Sequence, residues 1–315
     1  MKFISESCAN NRRILRGDIR VPGDKSISHR SIMLGAIAEG QTHVRGFLEG
    51  QDALATLNSF KAMGVNIEGP SNGEVLIHGV GMNGLCAPEQ PLYLGNSGTS
   101  IRLLSGLLSG QNFNTSLEGD KSLSMRPMGR VVDPLSLMGA NILSNKGLLP
   151  LHIKGGCSLR GIKYKLPMAS AQVKSAILLA GLYADGKTSI TEVETTRDHT
   201  ERMLSGFGYK VEKNNSEISI HGGGKLLACS IDVPADISSA AFFIVSASIV
   251  PGSDLLLRHV GINPTRTGVI DILNLMGADI VISNIKDVGG EPVADIRIRY
   301  VNKTIWNRFE RNIYK

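Results

Sequence analysis

The chain has 315 residues, a length typical of two domains, and an ordinary globular composition with 42% hydrophobic and 20% charged residues. A net charge of +6 suits anionic small molecules, whereas an aromatic content of 5% and the lack of basic runs argue against a nucleic-acid-binding protein. The four cysteines are widely spaced, without the pattern of a zinc site, and the N-terminus lacks an apolar stretch. We therefore expect free thiols in the cytoplasm, no metal, no secretory signal and no membrane span.

An eight-residue motif occurs twice. Residues 23–30 read Gly-Asp-Lys-Ser-Ile-Ser-His-Arg, and residues 119–126 read Gly-Asp-Lys-Ser-Leu-Ser-Met-Arg. Each copy sets Lys, two Ser and Arg beside Gly, which are residue types that bind anions. The first copy follows a predicted strand at 18–21 and opens an apolar helix predicted from Ser28, whose free N–H groups favour an anion. The alternative is a turn followed by a solvated helix start. The second Gly of a Walker A loop is missing, so we predict no nucleotide site.

A larger pattern, a helix followed by Gly and a short β-branched strand, recurs four times. Gly suits the C′ position of a helix because it adopts the left-handed conformation without a Cβ clash. The marker glycines are spaced by 75, 69 and 69 residues: Gly64, Gly139, Gly208 and Gly277. A more apolar helix belongs to each unit, with examples at 31–38, 101–108, 173–182 and 239–249. Such apolar helices are typically buried, so the pattern predicts repeated α/β subdomains packed around buried helices, with 240–250 as one of them.

Residues 293–301 are predicted to form a strand, and residues 302–315 do not begin a fifth unit. The last segment contains the single Trp and lacks Gly and Pro. A terminal helix and a tail joined by truncation or frameshift both remain open for it.

Three further segments lead from a loop into a helix. Each exposes helix N–H groups that could hold an anion, although simple N-capping explains them as well. The segments are Leu-Gly-Asn-Ser-Gly-Thr-Ser-Ile-Arg at 94–102, Pro-Met-Ala-Ser-Ala-Gln-Val-Lys-Ser at 167–175, and Thr-Arg-Asp-His-Thr-Glu-Arg at 196–202. Asp198 and His199 suggest a hydrolytic triad, but no Gly-x-Ser-x-Gly elbow accompanies them, so we do not predict nucleophilic hydrolysis.

Together these motifs resemble, in their order along the chain, those of the 5-enolpyruvylshikimate-3-phosphate synthase family. The motifs lie at 22–30, 95–99, 119–128, 170–175 and 197–201, and the resemblance covers about residues 12 to 300. It implies an α/β fold of two domains, each built from three repeated units as an inside-out barrel. In this chain it implies a complete three-repeat domain at 21–235 and a partial second domain made of 1–20 and 236–315.

The resemblance also implies a reaction. The family transfers the enolpyruvyl group of phosphoenolpyruvate to the 5-hydroxyl of shikimate 3-phosphate and releases phosphate, without metal or organic cofactor. It serves chorismate and aromatic amino acid synthesis and is the target of glyphosate. Holding two multiply charged anions together requires clustered Lys and Arg. By resemblance we expect a cytoplasmic monomer that binds these two substrates, with no membrane or nucleic-acid partner.

Site residues follow from the same resemblance. Lys25 is implied as the catalytic residue that contacts phosphoenolpyruvate and the reacting hydroxyl. The implied substrate-binding residues are Ser26 and Arg30 for the shikimate portion, Asn96, Gly98 and Arg126 around phosphoenolpyruvate, Ser170, Ala171 and Arg197 for the 3-phosphate, and Gln172 against the ring. For Lys121, the counterpart of Lys25 in the second octet, a structural role stays open.

Part of the family pattern has no counterpart in these 315 residues. The general-base Asp and a later Lys/Glu/Arg cluster are absent, so the resemblance implies a chain that lacks the C-terminal third and has little or no turnover alone. Three alternatives stay open. The chain could be a non-catalytic fragment that binds shikimate 3-phosphate, or a non-functional product with an exposed apolar segment at 240–250. The third is the related transferase that acts on UDP-N-acetylglucosamine, against which Ser26 and the lack of Cys between Cys86 and Cys157 argue.

Overall fold

A computed structural model of the chain describes residues 14–301. These residues divide into two compact units, one formed by 25–232 and the other by 14–24 with 233–301. We call them the three-repeat unit and the one-repeat unit, after the number of complete helix–strand repeats that each contains. The predictions for 302–315 lie outside the described residues.

The described elements follow the predicted order of helices and strands. The first part of the chain contains β1 (Arg16–Ile19), α1 (Lys25–Ala36), β2 (Glu39–Arg45), α2 (Gln51–Ala62), β3 (Asn66–Ser71), β4 (Glu74–Val80), β5 (Leu92–Tyr93), α3 (Gly98–Leu108), β6 (Thr115–Glu118), α4 (Lys121–Ser124), α5 (Gly129–Leu137), β7 (Asn141–Asn145) and β8 (Leu148–Lys154). The second part contains β9 (Lys163–Lys165), α6 (Ala171–Gly181), β10 (Lys187–Thr191), α7 (His199–Gly206), β11 (Glu212–Asn214), β12 (Glu217–His221), β13 (Ser230–Asp232), α8 (Ile237–Ile249), β14 (Asp254–Gly261), α9 (Gly268–Leu275), β15 (Asp279–Val288) and β16 (Glu291–Arg299).

The sheets formed by these strands share one topology. Each of the four has a parallel pair at one edge, followed by two antiparallel strands. The strand orders are β13-β2-β4-β3, β5-β6-β8-β7 and β9-β10-β12-β11 in the three-repeat unit, and β1-β14-β16-β15 in the one-repeat unit. Since a parallel pair needs a crossover, α3 and α6 connect the parallel strands of their own repeats. The predicted α/β fold of repeated units is therefore confirmed.

The core of the three-repeat unit is formed by its apolar helices, α1, α3 and α6. Nearly every residue of these helices is buried, including Leu104 and Leu108 of α3. Gly106 lets α3 and α6 approach closely, because a Cβ at this position would lie 2.1 Å from the carbonyl oxygen of Ala176. This close approach packs α3 directly against α6.

The one-repeat unit has a core of its own beneath α8, built from Ile244, Leu257, Ile296 and Ile298. The outer face of α8 is different, because the side chain of Phe242 is 77% exposed. Several other large apolar side chains of this unit are exposed as well: Val245, Ile249, Ile272, Leu275 and Ile285. The prediction of a buried helix at 240–250 is therefore wrong for one face of α8. Across residues 14–301, we find no helix with the length and apolar character needed to cross a membrane.

Other boundaries also differ from the predictions. The helix of the first octet begins at Lys25 rather than Ser28, so the lysine and first serine of the octet belong to the helix itself. The second octet also starts a helix at its lysine, but α4 has only four residues. It precedes the second helix of its repeat, whereas the first octet opens the first helix, so the two copies are not equivalent positions of the repeat. The four marker glycines do have positive φ angles, as a helix C′ position requires.

Candidate functional site

The first two turns of α1, α3 and α6 are joined by side-chain hydrogen bonds. Arg102 of α3 donates through Nη1 to Gln172 Oε1 of α6 at 2.7 Å, and Arg30 of α1 donates through Nη2 to Ser175 Oγ at 2.9 Å. Between α1 and α3, His29 Nδ1 lies 3.4 Å from Ser100 Oγ. Helix N-termini carry unpaired N–H groups and the positive end of the helix dipole, so this meeting of three helix starts favours anions.

Two of these helix starts are capped by serine. Ser97 Oγ accepts from the N–H of Ser100 at 3.1 Å, and Ser170 Oγ accepts from the N–H of Val173 at 3.3 Å. N-capping is therefore present at both loops, as the simpler interpretation of these segments required. A capping serine keeps its own O–H as a donor, so the cap leaves the hydroxyl able to bind an anion as well.

The residues of the first octet are divided between surface and interior. Lys25 stands at the start of α1 with its side chain 47% exposed, and its ammonium group forms an ion pair with Asp52 of α2. Ser26 is half-buried in the same turn. Burial, followed by the positive charges of Lys25 and Arg30, lowers the pKa of His29 to about 3. His29 is thus neutral at physiological pH and provides hydrogen bonds rather than acid–base chemistry.

Arg30 is buried and hydrogen-bonded to three elements. Its Nε donates to Thr200 Oγ1 of α7 at 2.7 Å, its Nη2 to Ser175 of α6, and its Nη1 to the carbonyl of Ser26 at 3.0 Å. This guanidinium therefore fixes α1 against α6 and α7. Arg197 is exposed in the loop just before α7.

The second octet contacts the loop that precedes α3. Asp120 caps α4 by accepting from the N–H of Leu123 at 2.7 Å, and it also accepts from Asn96 Nδ2 at 2.8 Å. These two hydrogen bonds, the one from Leu123 first, lower the pKa of Asp120 and keep it ionised. Arg126 donates to the amide oxygen of Asn96, so Asn96 is held from both ends. Lys121 is exposed on the first turn of α4.

Gly98 lies close to two guanidinium groups. A Cβ at this position would lie 2.8 Å from Arg102 Nη1 and 2.9 Å from Arg126 Nη1. Burial, followed by the neighbouring charges of Arg126 and Arg130, lowers the pKa of Arg102. Sequence reasoning did not select Arg102, although its spacing was a usable signal: a residue four positions after Gly98 in a helix lies on the same face.

A buried ion cluster supports the loop before α7. The side chain of Lys174 is fully buried, with Nζ 2.9 Å from Glu192 Oε1 and 2.7 Å from Glu201 Oε1. Glu192 also accepts from the N–H of Thr196 at 3.2 Å, which anchors the loop that carries Arg197. Burial raises the pKa of Glu201, and the adjacent Lys174 opposes this shift. Sequence reasoning missed this cluster and interpreted 196–202 as a charged helix start, whereas Glu201 is buried.

All ten predicted site residues thus lie in the three-repeat unit, at or near helix starts. Contacts bring together Asn96, Gly98 and Arg126, and the bond from Arg102 adds Gln172 to that group. Lys25 pairs with Asp52 rather than with another of the ten residues. The arrangement offers cations, hydroxyl groups and helix N–H groups to a ligand with several negative charges.

The chain is similar to proteins of one family. A family model described as EPSP synthase (3-phosphoshikimate 1-carboxyvinyltransferase) matches residues 10–307. A protein named 3-phosphoshikimate 1-carboxyvinyltransferase from Alkalilimnicola ehrlichii is 66% identical over 286 residues, which are 90% of this chain and 64% of that protein. Its namesake from Methylococcus capsulatus is 65% identical over 287 residues, covering 91% and 66% of the two chains.

A solved structure gives the same relationship. The EPSP synthase from Acinetobacter baumannii superposes with a TM-score of 0.87 at 64% sequence identity, covering 91% of this chain and 65% of that one. The chain therefore spans just under two thirds of the length of these relatives. Family membership rests on the match over most of this chain. The chain belongs to the EPSP synthase (3-phosphoshikimate 1-carboxyvinyltransferase) family.

Proposed function

We propose that the three-repeat unit binds shikimate 3-phosphate and phosphoenolpyruvate for transfer of the enolpyruvyl group to the 5-hydroxyl, with release of phosphate. The observation that carries the proposal is the meeting of the α1, α3 and α6 helix starts, each with an anion-binding side chain. Two multiply charged anions repel each other, and fixed cations and N–H dipoles offset that repulsion without reorganising during the reaction.

The 3-phosphate is held at the start of α6 and by the loop before α7. Ser170 can donate its hydroxyl hydrogen, and Ala171 lies in the first turn of α6, where helix N–H groups are unpaired. The exposed Arg197 adds a forked charge to the phosphate. On the shikimate portion, Ser26 and Arg30 bind polar groups, and Gln172 lies against the ring.

Phosphoenolpyruvate is held near the start of α3. Gly98 permits close approach of its backbone, and Arg126, oriented by Asn96, supplies charge. Lys25 contacts both phosphoenolpyruvate and the reacting hydroxyl, and its exposure at the start of α1 fits that role.

Calorimetric titration of the chain with shikimate 3-phosphate tests this proposal. We expect saturable binding, and Arg197→Met should weaken it by about tenfold or more, as loss of a charged phosphate contact does. Lys187→Met is the matched control, because Lys187 is an exposed lysine of the same unit that pairs with Glu212. No heat with millimolar shikimate 3-phosphate would refute the proposal, and saturable binding of UDP-N-acetylglucosamine instead would favour the related transferase.

A further inference from the structure

Arg102 makes a defined set of hydrogen bonds, although the proposed function assigns it no contact with substrate. It lies in α3, one turn after Gly98, and is half-buried. Its Nη1 donates to the carbonyl oxygen of Gly98 at 3.0 Å and to Gln172 Oε1 at 2.7 Å. Because a guanidinium Nη carries two hydrogens, these two acceptors saturate it and fix its orientation.

The amide of Gln172 is held at both ends. Its oxygen accepts from Arg102, and its Nε2 donates to Thr99 Oγ1 at 3.1 Å. The two ends of an amide have nearly the same shape, so the hydrogen-bonding partners decide which way it faces. A threonine hydroxyl can donate or accept and would tolerate either orientation. A guanidinium only donates, so Arg102 alone requires the oxygen of Gln172 to face it and turns the NH₂ group away.

The placement of Arg102 is electrostatically unfavourable. None of the ion pairs among residues 14–301 includes it, and it lies near the like charges of Arg126 and Arg130. A half-buried cation without an acidic partner costs free energy that an apolar residue of similar size would avoid. Its position also requires Gly98, since a Cβ there would lie 2.8 Å from Nη1. The guanidinium group gives Gln172 a partner that can donate hydrogen bonds but cannot accept them.

We infer that Arg102 is a positioning residue, which holds the amide of Gln172 so that its NH₂ group faces bound substrate. Gln172 then donates to an oxygen of shikimate 3-phosphate, while Arg102 does not touch the ligand. The inference rests on the proposed function, in which Gln172 contacts that substrate. A glutamine that could rotate freely would present its oxygen part of the time and repel the anion.

A double-mutant cycle on shikimate 3-phosphate affinity tests the inference. We expect Arg102→Met and Gln172→Ala each to weaken binding about fivefold to tenfold, which corresponds to one hydrogen bond to an anion. The double variant should bind within about twofold of Gln172→Ala, because Arg102 then has nothing left to position. If Arg102→Met costs as much in the Gln172→Ala background as in the unmodified chain, Arg102 acts directly on the ligand and the inference is wrong. Unchanged affinity in Arg102→Met would also overturn it.

Two further variants separate positioning from charge. Gln172→Glu should bind more weakly than Gln172→Ala, because both lack the NH₂ donor and the carboxylate also repels the anionic ligand; unmodified affinity would contradict the inference. Arg130→Met removes a nearby exposed charge and should change affinity less than about twofold. A loss equal to that of Arg102→Met would mean that only the general positive charge matters.

The outcomes also separate the inference from the proposed function. If the unmodified chain binds saturably and the effects of Arg102→Met and Gln172→Ala simply add, only the inference is refuted. If the unmodified chain does not bind, the proposed function and the inference are both refuted. Circular dichroism checks the fold of every variant. If Arg102→Met does not fold, Arg102→Gln replaces it in the cycle. The loss of affinity caused by Arg102→Gln must likewise vanish in the Gln172→Ala background.

Discussion

The apolar helices α3 and α8 hold corresponding places in their repeats but have different surroundings. In the three-repeat unit, α3 packs against α6, and Leu103, Leu104 and Leu107 are fully buried. In the one-repeat unit, α8 buries one face on β14 and β16, and Phe242 on its outer face is 77% exposed. Both helices are strongly apolar in sequence. The difference shows that apolar pattern predicts a helix, whereas burial depends on which neighbours the unit supplies.

Ion pairs also differ in how deeply they are buried. The cluster of Lys174, Glu192 and Glu201 is buried in the three-repeat unit, whereas the pair of Arg297 and Asp254 in the one-repeat unit is partly exposed. Buried charges depend strongly on their partners, and exposed ones are screened by water. Substitutions at buried and at exposed positions should therefore differ widely in their effects.

Lys174→Met should lower the free energy of unfolding by about 3 to 5 kcal/mol at neutral pH, because it leaves two buried carboxylates without their cation. Burial raises the pKa of Glu201, and the variant loses the opposing charge of Lys174, so the folded variant binds more protons at this group than the unfolded one. Its deficit should therefore shrink as the pH falls from 7 towards 5. Urea unfolding across this range measures the effect. Arg297→Met is the control from the partly exposed pair, and an equal loss there would remove the contrast between the buried cluster and that pair.

Leu104→Ala should destabilise the three-repeat unit by about 2 to 5 kcal/mol, since it deletes fully buried methyl groups between packed helices. The matched change in α8, Phe242→Ala, should stay within about 0.5 kcal/mol although it removes a larger side chain. Urea unfolding of both variants, monitored separately for each unit, gives the two changes in the free energy of unfolding. A large loss for Phe242→Ala would mean that the outer face of α8 is covered in solution.

Phe242→Glu should reduce self-association of the chain with little change in its stability. Phe242, Val245 and Ile249 are exposed apolar side chains at helical spacing on one face of α8, and such surfaces promote association. Sedimentation velocity over a range of protein concentrations measures the change. Tyr93→Glu, at an exposed aromatic residue of the three-repeat unit, is the control. An equal effect from that variant would show that added negative charge alone is responsible.

Much of the fold was predictable because its signals are local. A helix followed by glycine and a β-branched strand is specified within a short segment, and Gly64 and Gly277 mark helix ends as expected. For 240–250 the apolar pattern predicted a buried helix, with an exposed segment only as an alternative, because the exposure of Phe242 depends on neighbours that are distant in sequence. The start of α1 at Lys25 was also missed, since the octet has few apolar residues to set the helical period.

For the site, sequence alone indicated the helix starts but not the residues behind them. The anion-binding residue types of the octets and the loops stand out by composition, as with Lys25 and Arg126. Lys174 and Arg102 do not stand out, because their importance comes from partners that only the fold brings to them. Glu192 and Glu201 lie later in the same repeat as Lys174, and Gln172 lies in a different repeat from Arg102.

Our central proposal is that the starts of α1 and α6 hold shikimate 3-phosphate, and that the start of α3, joined to α6 by the hydrogen bond from Arg102 to Gln172, completes the same site. Heteronuclear NMR of the ¹⁵N-labelled chain during titration with this ligand tests it most directly. We predict that amide signals from residues 25–30, 98–102 and 170–175 shift together and saturate at one common ligand concentration. Shifts limited to one of these segments, or no saturable shift in any of them, would contradict the claim.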